Sequence, residues 1–541
     1  MEKFYTFLVG QSCCSALKSW AARQHRPTKN MKIFVLHPAG NCLVWIGLWA
    51  YPSHGSNNHR MNFSISHLLD GFPCRVHRKI LLCASVLFIG ARLPAQDQRA
   101  DVVKILVDPN TTLSRISADF MGFGYETSAV AQSNFFSPKN VTMVQLYRNL
   151  SSHGLIRIGG IISDHTKYVP DGTPVAHTQK GVTIINQANL ADLGGFARAA
   201  GWKVMWGLNL GTGSKEEAAQ EAVAVDAALG GSLQSFQIGN EVENLRHGYE
   251  AYHTAYLDYK SGIRAVLPNA PFSGPDSVGN WRYVTNFVAT ESSDMKLLTI
   301  HYYRGGAGNT NATLKRLLQH DTNWDKKLGN LRQVSREHGL AYRINEINSF
   351  SGGGKPGVSD TFGSALWCLD YLFILASYEC EGVNMETDIN QLGFISHYSP
   401  IVHDEAGHCS ARPEYYGMLA FALAGKGELL KLVLEKADIN LSAYATRDQD
   451  GLLWITVVNK DFARDAAMEI TLPEGYSSAA AFRLSAPSME SKDHVTLAGA
   501  EVSFDGTWTP GQPEKVEGKD GSVHCLVPHA SAVLLQLASK P

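Results

Sequence analysis

The sequence predicts an α/β fold: a (β/α)8 barrel of TIM type with a C-terminal antiparallel β-sandwich domain that also takes an N-terminal strand. Three observations predict this architecture. Eight short apolar runs alternate with helix-like segments between residues 119 and 385, which is the pattern of a parallel barrel. After residue 426 the pattern changes to alternating strands with tight turns between them. An apolar strand at residues 102–107 precedes the barrel, has no place in it and is assigned to the sandwich.

These patterns divide the chain into four predicted segments. Residues 1–95 form a leader, and residues 96–116 carry the strand that joins the sandwich. Residues 117–426 form the catalytic barrel, and residues 427–541 form the β-sandwich. No internal repeat or low-complexity linker separates the last two segments, so we expect them to pack rigidly.

The predicted barrel strands are short apolar runs, several of which end in a polar or ionisable residue. In chain order they are residues 120–125, 155–158, 203–208, 235–239, 271–275, 297–301, 341–344 and 383–385. Amphipathic stretches such as 215–229, 249–266 and 314–338 lie between them and predict the outer ring of helices. A last helix near 415–424 precedes sandwich strands at residues 452–458, 467–472, 480–484, 522–527 and 532–537.

The leader has the order of features that a secretory signal peptide requires. A basic segment at 75–79 is followed by an apolar run at 80–91 and by small residues at 93–95. The apolar run of 12 residues is shorter than the roughly 18 that a membrane-spanning helix needs, although an N-terminal anchor is the alternative. We therefore expect a secreted or periplasmic protein without stable membrane insertion after signal cleavage. Because such a signal starts near its basic region, we expect Met61 as the start and Gln96 near the mature N-terminus.

The charge distribution argues against a polyanionic partner. Of 48 Lys+Arg and 50 Asp+Glu, the first 95 residues hold 11 and 2, so the remainder carries 37 against 48, a formal net charge of −11. No run of five basic residues occurs after residue 95, which excludes an evident nucleic-acid footprint. The four cysteines of that part lack metal-ligand spacing. We therefore predict no metal and no cofactor, while one disulfide stays open as an alternative to buried thiols.

Two glutamates follow predicted barrel strands, where the chemistry of such barrels lies. Strand four ends in Asn240-Glu241 and strand seven ends in Asn345-Glu346. A retaining glycosidase needs two carboxyl groups about 5 to 5.5 Å apart, one as acid/base and one as nucleophile. We assign these roles to Glu241 and Glu346, with a raised pKa expected for the acid, and we expect Tyr302 to donate to Glu346. A structural ion pair is the alternative for a single glutamate, but two at strands four and seven favour catalysis.

At these residues the sequence resembles the clan A retaining glycosidases, and within them glycoside hydrolase family 79, the heparanase and β-glucuronidase family. The resemblance covers about residues 100–540. It rests on several motifs: Ile158-Gly159-Gly160 to Asp164, Gly239-Asn240-Glu241, His301-Tyr302-Tyr303, Asn345-Glu346-Ile347-Asn348-Ser349-Phe350, Gly352-Gly353-Gly354, Val358-Ser359-Asp360-Thr361-Phe362 and Tyr398.

The resemblance implies roles for the residues around the scissile bond. Glu241 matches the acid/base of the family and Glu346 its nucleophile. Asn240 matches the residue that binds the sugar 2-hydroxyl, and Tyr302 matches the tyrosine beside the nucleophile.

It also implies roles for the residues around the sugar. Backbone N–H groups of Gly352 and Gly353, helped by Tyr398, match the grip on the uronic acid carboxylate, which glycine permits because backbone amides can approach an anion closely. Glu126 and Asp164 match the carboxylates that bind hydroxyls of the nonreducing sugar. A flexible turn is the alternative for the glycines, and a helix cap or ion pair is the alternative for the two carboxylates.

The function that follows is a retaining, exo-acting β-glucuronidase that removes terminal β-linked glucuronic acid from a glycan or glycoside. Val242 follows the acid/base where the family often has proline, and basic loops for sulfated chains are not evident, which disfavours a heparanase-like endo-enzyme. The Gly352 loop and Tyr398 disfavour a neutral-sugar glycosidase such as an arabinofuranosidase or xylosidase. A catalytically silent sugar-binding protein is the remaining alternative, although binding alone does not require an acid and a nucleophile.

Overall fold

The computed structural model describes residues 101–171, 181–387, 395–404 and 408–539, together with four short strands near the N-terminus. Met1–Gln98 and Arg99–Pro541 form two compact units. The strands of the first unit pair in chain order in a small sheet and are Thr6–Leu8, Met31–Leu36, Leu43–Tyr51 and Asn62–Ser64. The predicted signal sequence at 75–95 lies outside the described residues and stays a prediction.

The second unit contains the predicted barrel. Its eight strands are β1 Gly122–Glu126, β2 Leu155–Gly159, β3 Lys203–Leu208, β4 Leu233–Ile238, β5 Gly274–Ser277, β6 Leu298–Tyr303, β7 Tyr342–Asn348 and β8 Gly382–Glu386. They form one sheet in the order β4-β3-β2-β1-β8-β7-β6-β5, and neighbouring strands in this order are parallel. Phe236 of β4 pairs with Phe272 just before β5, which brings the two ends of the sheet together.

Eight helices surround these strands and alternate with them along the chain. They are α1 Val141–Leu150, α2 Gln187–Ala200, α3 Lys215–Leu229, α4 Tyr249–Val266, α5 Trp281–Glu291, α6 Thr322–His338, α7 Phe362–Ser377 and α8 Pro413–Ala424. Ser214 caps α3 through a capping box with Glu217, which satisfies N–H groups that the helix itself leaves unpaired. The two bounds predicted for this helix are confirmed.

One predicted helix is divided in two. The stretch 314–338 forms a short helix, Leu314–Leu318, and then α6. The Asp321 side chain accepts a hydrogen bond from the backbone N–H of Trp324 and so starts a new helix. The prediction of one continuous helix was wrong because the spacing of apolar residues does not show where an N-cap residue starts a new helix.

The β-sandwich contains the last strands of the chain together with an N-terminal strand. Its strands are Asp101–Ile116, Gly427–Leu434, Leu441–Arg447, Leu453–Asn459, Ala466–Thr471, Tyr476–Ser485, Thr496–Leu497, Glu514–Lys519, Ser522–Val527 and Ser531–Ser539. Asp101–Ile116 pairs antiparallel with Gly427–Leu434 and parallel with Ala466–Thr471. The predicted fold class is therefore confirmed, including the N-terminal strand, which is longer than the six residues that were predicted.

Apolar packing joins the barrel to the sandwich. The largest core cluster contains barrel residues such as Trp206 and also Trp454 and Leu534 of the sandwich, while a second cluster fills the sandwich interior around Ile105 and Ile455. No helix in the described part of the chain is long and apolar enough to cross a bilayer.

Candidate active site

A cavity of about 620 Å³ opens at the carboxyl ends of the barrel strands. Its walls come from β1, β6, β7, β8 and α6 and from the loops that follow β2, β4, β5, β6, β7 and β8. The lining residues include five carboxylates. Lys327 is the one Lys or Arg side chain among the lining residues of the described part of the chain. The carboxylates are Glu126, Glu241, Asp321, Glu346 and Glu386. The site is thus strongly acidic, and it lies where a barrel of this type carries its chemistry.

Glu241 and Glu346 face each other in this cavity. Glu241 follows β4 and adopts a left-handed backbone conformation, φ 45° and ψ 54°, which is uncommon for a residue other than glycine. Glu346 lies within β7. One carboxylate oxygen of each residue lies within 4.8 Å of the other. This spacing suits direct attack by one carboxylate, since inverting enzymes separate their carboxyl groups by about 6.5 to 9.5 Å to admit a water.

Glu346 is held by two strong donors. Arg157 Nη1 of β2 lies 2.9 Å from its Oε2 atom, and the Tyr303 hydroxyl donates to its Oε1 atom at 2.9 Å. Both donors stabilise the ionised carboxylate. A carboxylate that is ionised and fixed in direction is what a nucleophile requires.

The predicted donor to Glu346, Tyr302, is corrected to its neighbour Tyr303. The Tyr302 hydroxyl instead donates to Asp321 at 3.1 Å, and its ring packs against Trp324 at a centroid distance of 4.1 Å. Successive side chains of a strand point to opposite faces, so only one of two adjacent tyrosines can reach the barrel interior. An irregular register between Ile300 and His301 in the pairing of β6 with β7 decides which one it is.

Asn240 lies beside the two glutamates in a buried position. Its side-chain oxygen accepts a hydrogen bond from Arg157 Nη2, and its backbone N–H lies 3.3 Å from Asp164 Oδ2. The side chain is therefore fixed by the same arginine that holds Glu346.

Asp164 is not among the residues that line the cavity, and its role in binding sugar hydroxyls stays a prediction. It is buried and accepts hydrogen bonds from the backbone N–H groups of Leu210 and Gly211, both at 3.1 Å, in addition to that of Asn240. Burial raises its pKa to about 7. The side chain thus ties the loops after β2, β3 and β4 together, and the alternative of a structural role is the one that the geometry favours.

Glu126 does line the cavity, and it also caps a short helix. Its two oxygens accept hydrogen bonds from the N–H groups of Ile161 and Ile162, at 3.2 and 2.8 Å. Gly160 permits this approach, since a Cβ atom there would lie 2.1 Å from the carboxylate. Burial raises the pKa of Glu126 to about 8, so the group is protonated at neutral pH and can both donate to and accept from a hydroxyl.

The three glycines after β7 form a tight turn at the wall of the cavity. Gly352, Gly353 and Gly354 have φ values of 75°, 82° and 80°, which favour glycine. A Cβ atom on Gly354 would lie 2.7 Å from the backbone nitrogen of Tyr398. Gly352, Gly353 and Tyr398 all line the cavity, so the structure brings together the three residues predicted for carboxylate recognition.

The electrostatics of the site depend on residues that the sequence prediction missed: Arg157, Asp276, His301 and Tyr303. His301 had been quoted only as part of a motif. Arg157 and Asp276 are charged residues within otherwise buried strands, β2 and β5. A charge inside a barrel strand costs several kcal/mol unless it is paired, and that signal could have identified them.

The pKa of Glu241 differs from the prediction. Burial alone would raise it, but the hydrogen bond and positive charge of His301 outweigh burial, so that the pKa of Glu241 lies below its ordinary value. His301 Nδ1 is 3.3 Å from Glu241 Oε1. The predicted high pKa of the acid is thus corrected, because the sequence did not show that an imidazole would face this carboxylate.

One group among the described residues is compact enough to hold a metal ion, and it consists of Glu241, His301 and Glu346. The Arg157 guanidinium already faces the same Oε2 atom of Glu346 at 2.9 Å. A cation bound there would be repelled by the arginine. The arrangement therefore suits carboxylate chemistry better than metal chemistry.

Comparison with known proteins connects this geometry to a family. Residues 420–534 match the glycosyl hydrolase family 79 C-terminal beta domain. A β-glucuronidase of Aspergillus niger is 24% identical over 533 residues, which cover 84% of this chain and 98% of that relative. These matches confirm the expected resemblance to glycoside hydrolase family 79, and the chain is a glycoside hydrolase.

Solved structures similar to this glycoside hydrolase agree with its fold. A 4-O-α-L-rhamnosyl-β-D-glucuronidase from Fusarium oxysporum 12S has a TM-score of 0.66 at 17% identity, with 81% of this chain and 100% of that chain covered. A family 51 α-L-arabinofuranosidase from Bifidobacterium longum has a TM-score of 0.61 at 14% identity, with 81% and 99% covered. At these identities the likeness concerns the fold alone.

Proposed function

We propose that this glycoside hydrolase is a retaining, exo-acting β-glucuronidase that hydrolyses terminal β-linked glucuronic acid. The observation that carries the proposal is the combination, in one cavity, of two glutamates within 4.8 Å of each other and a turn of three glycines beside Tyr398. The first feature supplies the chemistry and the second supplies recognition of a carboxylate. The Aspergillus niger relative, named as a β-glucuronidase, supports the same substrate.

The reaction proceeds in two displacements. In the first, Glu346 attacks the anomeric carbon and forms a covalent bond to it, while Glu241 gives its proton to the departing oxygen. In the second, Glu241 takes a proton from a water, whose oxygen attacks the same carbon and releases Glu346. Arg157 and Tyr303 hold the Glu346 carboxylate in place before the first step.

Recognition of the uronic acid carboxylate depends on backbone amides. The N–H of His397 donates to the Gly353 carbonyl at 2.7 Å, and the N–H of Gly354 donates to the Phe350 carbonyl at 3.1 Å. These bonds fix the shape of the turn, and consecutive residues with such backbone angles can form concavities that bind anions. Tyr398 lies beside Tyr303, with ring centroids 6.2 Å apart, so carboxylate recognition and the nucleophile are adjacent.

The walls of the cavity favour an exo-acting enzyme over one that cuts sulfated polymers. Lys327 is the one Lys or Arg among the lining residues in the described part of the chain, against five carboxylates. A polysulfated chain would meet repulsion rather than a basic groove. A terminal glucuronic acid presents one carboxylate, for which one set of donors suffices.

We infer further that residues 75–95 direct export, so that the enzyme acts outside the cytoplasm. The basic, apolar and small residues in that order support this inference. Intact-mass measurement of enzyme recovered from the medium or periplasm tests it. An N-terminus near Gln96 is expected, and enzyme that keeps residues 75–95 after export would contradict the inference.

The substrate is tested by a panel of aryl glycosides at equal concentration: β-glucuronide, β-glucoside, β-xyloside and α-arabinofuranoside. We expect the glucuronide to be cleaved fastest, with net retention of configuration by NMR. A 2-fluoro-glucuronide should label Glu346, as shown by peptide mapping, and Glu346→Gln should abolish both labelling and turnover. Faster cleavage of a neutral glycoside would refute the uronic acid specificity, and a label on another carboxylate would refute the nucleophile.

A further inference from the structure

A group of buried charges lies directly beneath the two glutamates. Asp276 of β5 is 1% exposed and is surrounded by donors. Arg157 Nη2 lies 2.8 Å from its Oδ2 atom, and Gln237 Nε2 lies 2.7 Å from its Oδ1 atom. The Asn345 side-chain amide donates to the same Oδ1 atom. Such complete coordination identifies an ionised carboxylate.

His301 of β6 is 3% exposed and lies between this carboxylate and the glutamates. Its Nδ1 atom is 3.3 Å from Glu241 and 3.5 Å from Glu346, and its Nε2 atom is 3.1 Å from Asp276 Oδ1. The Nε2 contact is an ion pair rather than a well-aligned hydrogen bond. Because both ring nitrogens face carboxylate oxygens, a neutral ring would direct a lone pair at one of them.

We propose that Asp276 is a positioning residue, which holds His301 as an imidazolium between the two glutamates and thereby decides where the proton of the acid/base resides. The proposal rests on the proposed function, because it assigns Asp276 a part in setting the protonation of Glu241. Asp276 itself does not line the cavity, so it acts through His301.

The charges of the surrounding strands support an imidazolium. Arg157 from β2 is the cation beside the carboxylates, which are Glu241 after β4, Asp276 on β5, Glu346 on β7 and Glu386 on β8. Tyr303 is neutral, and Glu126 is protonated at neutral pH. With a neutral His301, one cation would therefore face four carboxylates. Burial would lower the pKa of His301, but the charges of Glu346 and Asp276 raise it well above its ordinary value.

The consequence for catalysis concerns the pH dependence of the acid. An imidazolium at Nδ1 favours the ionised form of Glu241, so Glu241 carries its proton mainly at acidic pH. After that proton has passed to the leaving group, the same charge stabilises the carboxylate that must next accept a proton from water. Without the charge of Asp276, the shared proton should move from His301 to Glu241, which would then stay protonated to higher pH.

The test compares the pH profile of kcat/KM for wild type and Asp276→Asn with an aryl β-glucuronide. We expect the alkaline limb to move upward by about one pH unit or more, in addition to any loss of rate. Asp321→Asn is the matched control, since this cavity carboxylate bonds to Tyr302 and Arg304 rather than to His301, and its alkaline limb should not move. An unmoved limb in Asp276→Asn would overturn the proposal, because a structural defect lowers the rate without shifting the limb.

A second measurement does not depend on the variant or on the substrate. In wild-type enzyme labelled with 15N-histidine, the signals of His301, assigned by their loss in His301→Gln, should show both ring nitrogens protonated at pH 7. A neutral tautomer would overturn the proposal even if Asp276→Asn does not fold. If wild type cleaves another glycoside instead of the glucuronide, the proposed function fails, and the pH comparison is made with the glycoside that is cleaved.

Discussion

Glu241 and Glu346 carry the same chemical group but have different surroundings. Glu346 receives donors from Arg157 and Tyr303 and is almost buried, whereas the Glu241 side chain is 22% exposed and contacts His301 and Asn244. The firmly held group suits attack on carbon, and the more accessible group suits exchange of a proton with the leaving group and with water. The different surroundings of Glu241 and Glu346 therefore suit the two residues to different roles.

Glu241→Ala should affect substrates according to their leaving groups. Leaving groups that need protonation should lose about 10²- to 10⁴-fold in kcat/KM, since this is the usual contribution of general acid catalysis. A dinitrophenyl glucuronide should lose far less in its first step, and azide should restore its second step by forming the β-glucuronosyl azide. Rates with both leaving groups and with added azide measure this, and equal losses without azide rescue would argue against the role of Glu241.

The adjacent tyrosines of β6 provide a matched pair of variants. Tyr303→Phe removes a donor to the ionised Glu346, an interaction worth about 1.5 to 3 kcal/mol, and should lower kcat/KM roughly ten- to hundredfold. Tyr302→Phe leaves the hydrogen bonds of Glu346 intact and should lower it less than tenfold. Steady-state kinetics of the two variants show which tyrosine contributes more to kcat/KM. A larger loss in Tyr302→Phe would restore the role that sequence reasoning assigned to Tyr302.

At the scale of elements, most of the charged residues beneath the cavity lie on strands, and the residues predicted to recognise the substrate carboxylate lie on loops. β2, β5, β6 and β7 carry Arg157, Asp276, His301 and Glu346. The turn after β7 and the segment at Tyr398 lie at the cavity wall. Strand residues are held by hydrogen bonds on both sides, which fixes reacting groups more firmly than a loop could.

Tyr398→Phe tests recognition by these loops. Loss of a hydroxyl donor to the substrate carboxylate should lower kcat/KM for an aryl β-glucuronide about ten- to hundredfold, from an interaction of about 1.5 to 3 kcal/mol. The matching glucoside lacks the carboxylate and should change little. Parallel assays of both substrates give the answer. If both activities fall together, Tyr398 supports the site generally and does not recognise the carboxylate.

Helix α3 contains a buried acid that gives a prediction for stability. Glu221 is buried and accepts a hydrogen bond from Trp206 Nε1 at 2.8 Å, and burial raises its pKa to about 8. Between the ordinary pKa of a glutamate and pH 8, the unfolded chain loses this proton and the folded chain keeps it, so stability falls as pH rises through that window. Glu221→Gln removes this effect and can still accept from Trp206.

The stability of Glu221→Gln relative to wild type should therefore increase with pH. The difference in free energy of unfolding between pH 5 and pH 8 should be on the order of 3 kcal/mol in favour of the variant. Urea unfolding at both pH values measures it. A difference that does not change with pH would show that Glu221 is ionised in the folded protein.

At the scale of the whole molecule, the sandwich contacts helix α7 of the barrel. Asp370 of α7 accepts hydrogen bonds from Tyr444 at 2.7 Å and from Lys460, and Ser114 of the N-terminal strand donates to the carbonyl of Ala376 at 2.7 Å. Helix α7 follows the turn of three glycines. The sandwich therefore holds the helix that follows this turn.

Removal of residues 1–95 should leave fold and activity intact. The strand Asp101–Ile116, which pairs with two strands of the sandwich, remains in the shortened protein. Its thermal unfolding midpoint and its kcat/KM should match those of exported enzyme. A loss of either would show that the leader belongs to the folded enzyme, contrary to the signal sequence that its composition predicts.

The sequence by itself determined the barrel, the sandwich and the positions of the two glutamates. Alternation of strands and helices is a local property, and a glutamate that ends an apolar run must lie at the carboxyl end of a barrel strand. In each case the decisive signal was contained in a few consecutive residues.

The tertiary structure alone decided which side chains meet. The register between β6 and β7 turned Tyr303 rather than Tyr302 toward Glu346. Backbone amides of two loops, those after β3 and β4, donate to Asp164. Arg157, Asp276 and His301 come from three strands separated by up to 144 positions in the sequence, and their charges stabilise one another only once the barrel has formed. Contacts of this kind depend on strand register and on mutual burial, and neither is encoded within a single segment of the chain.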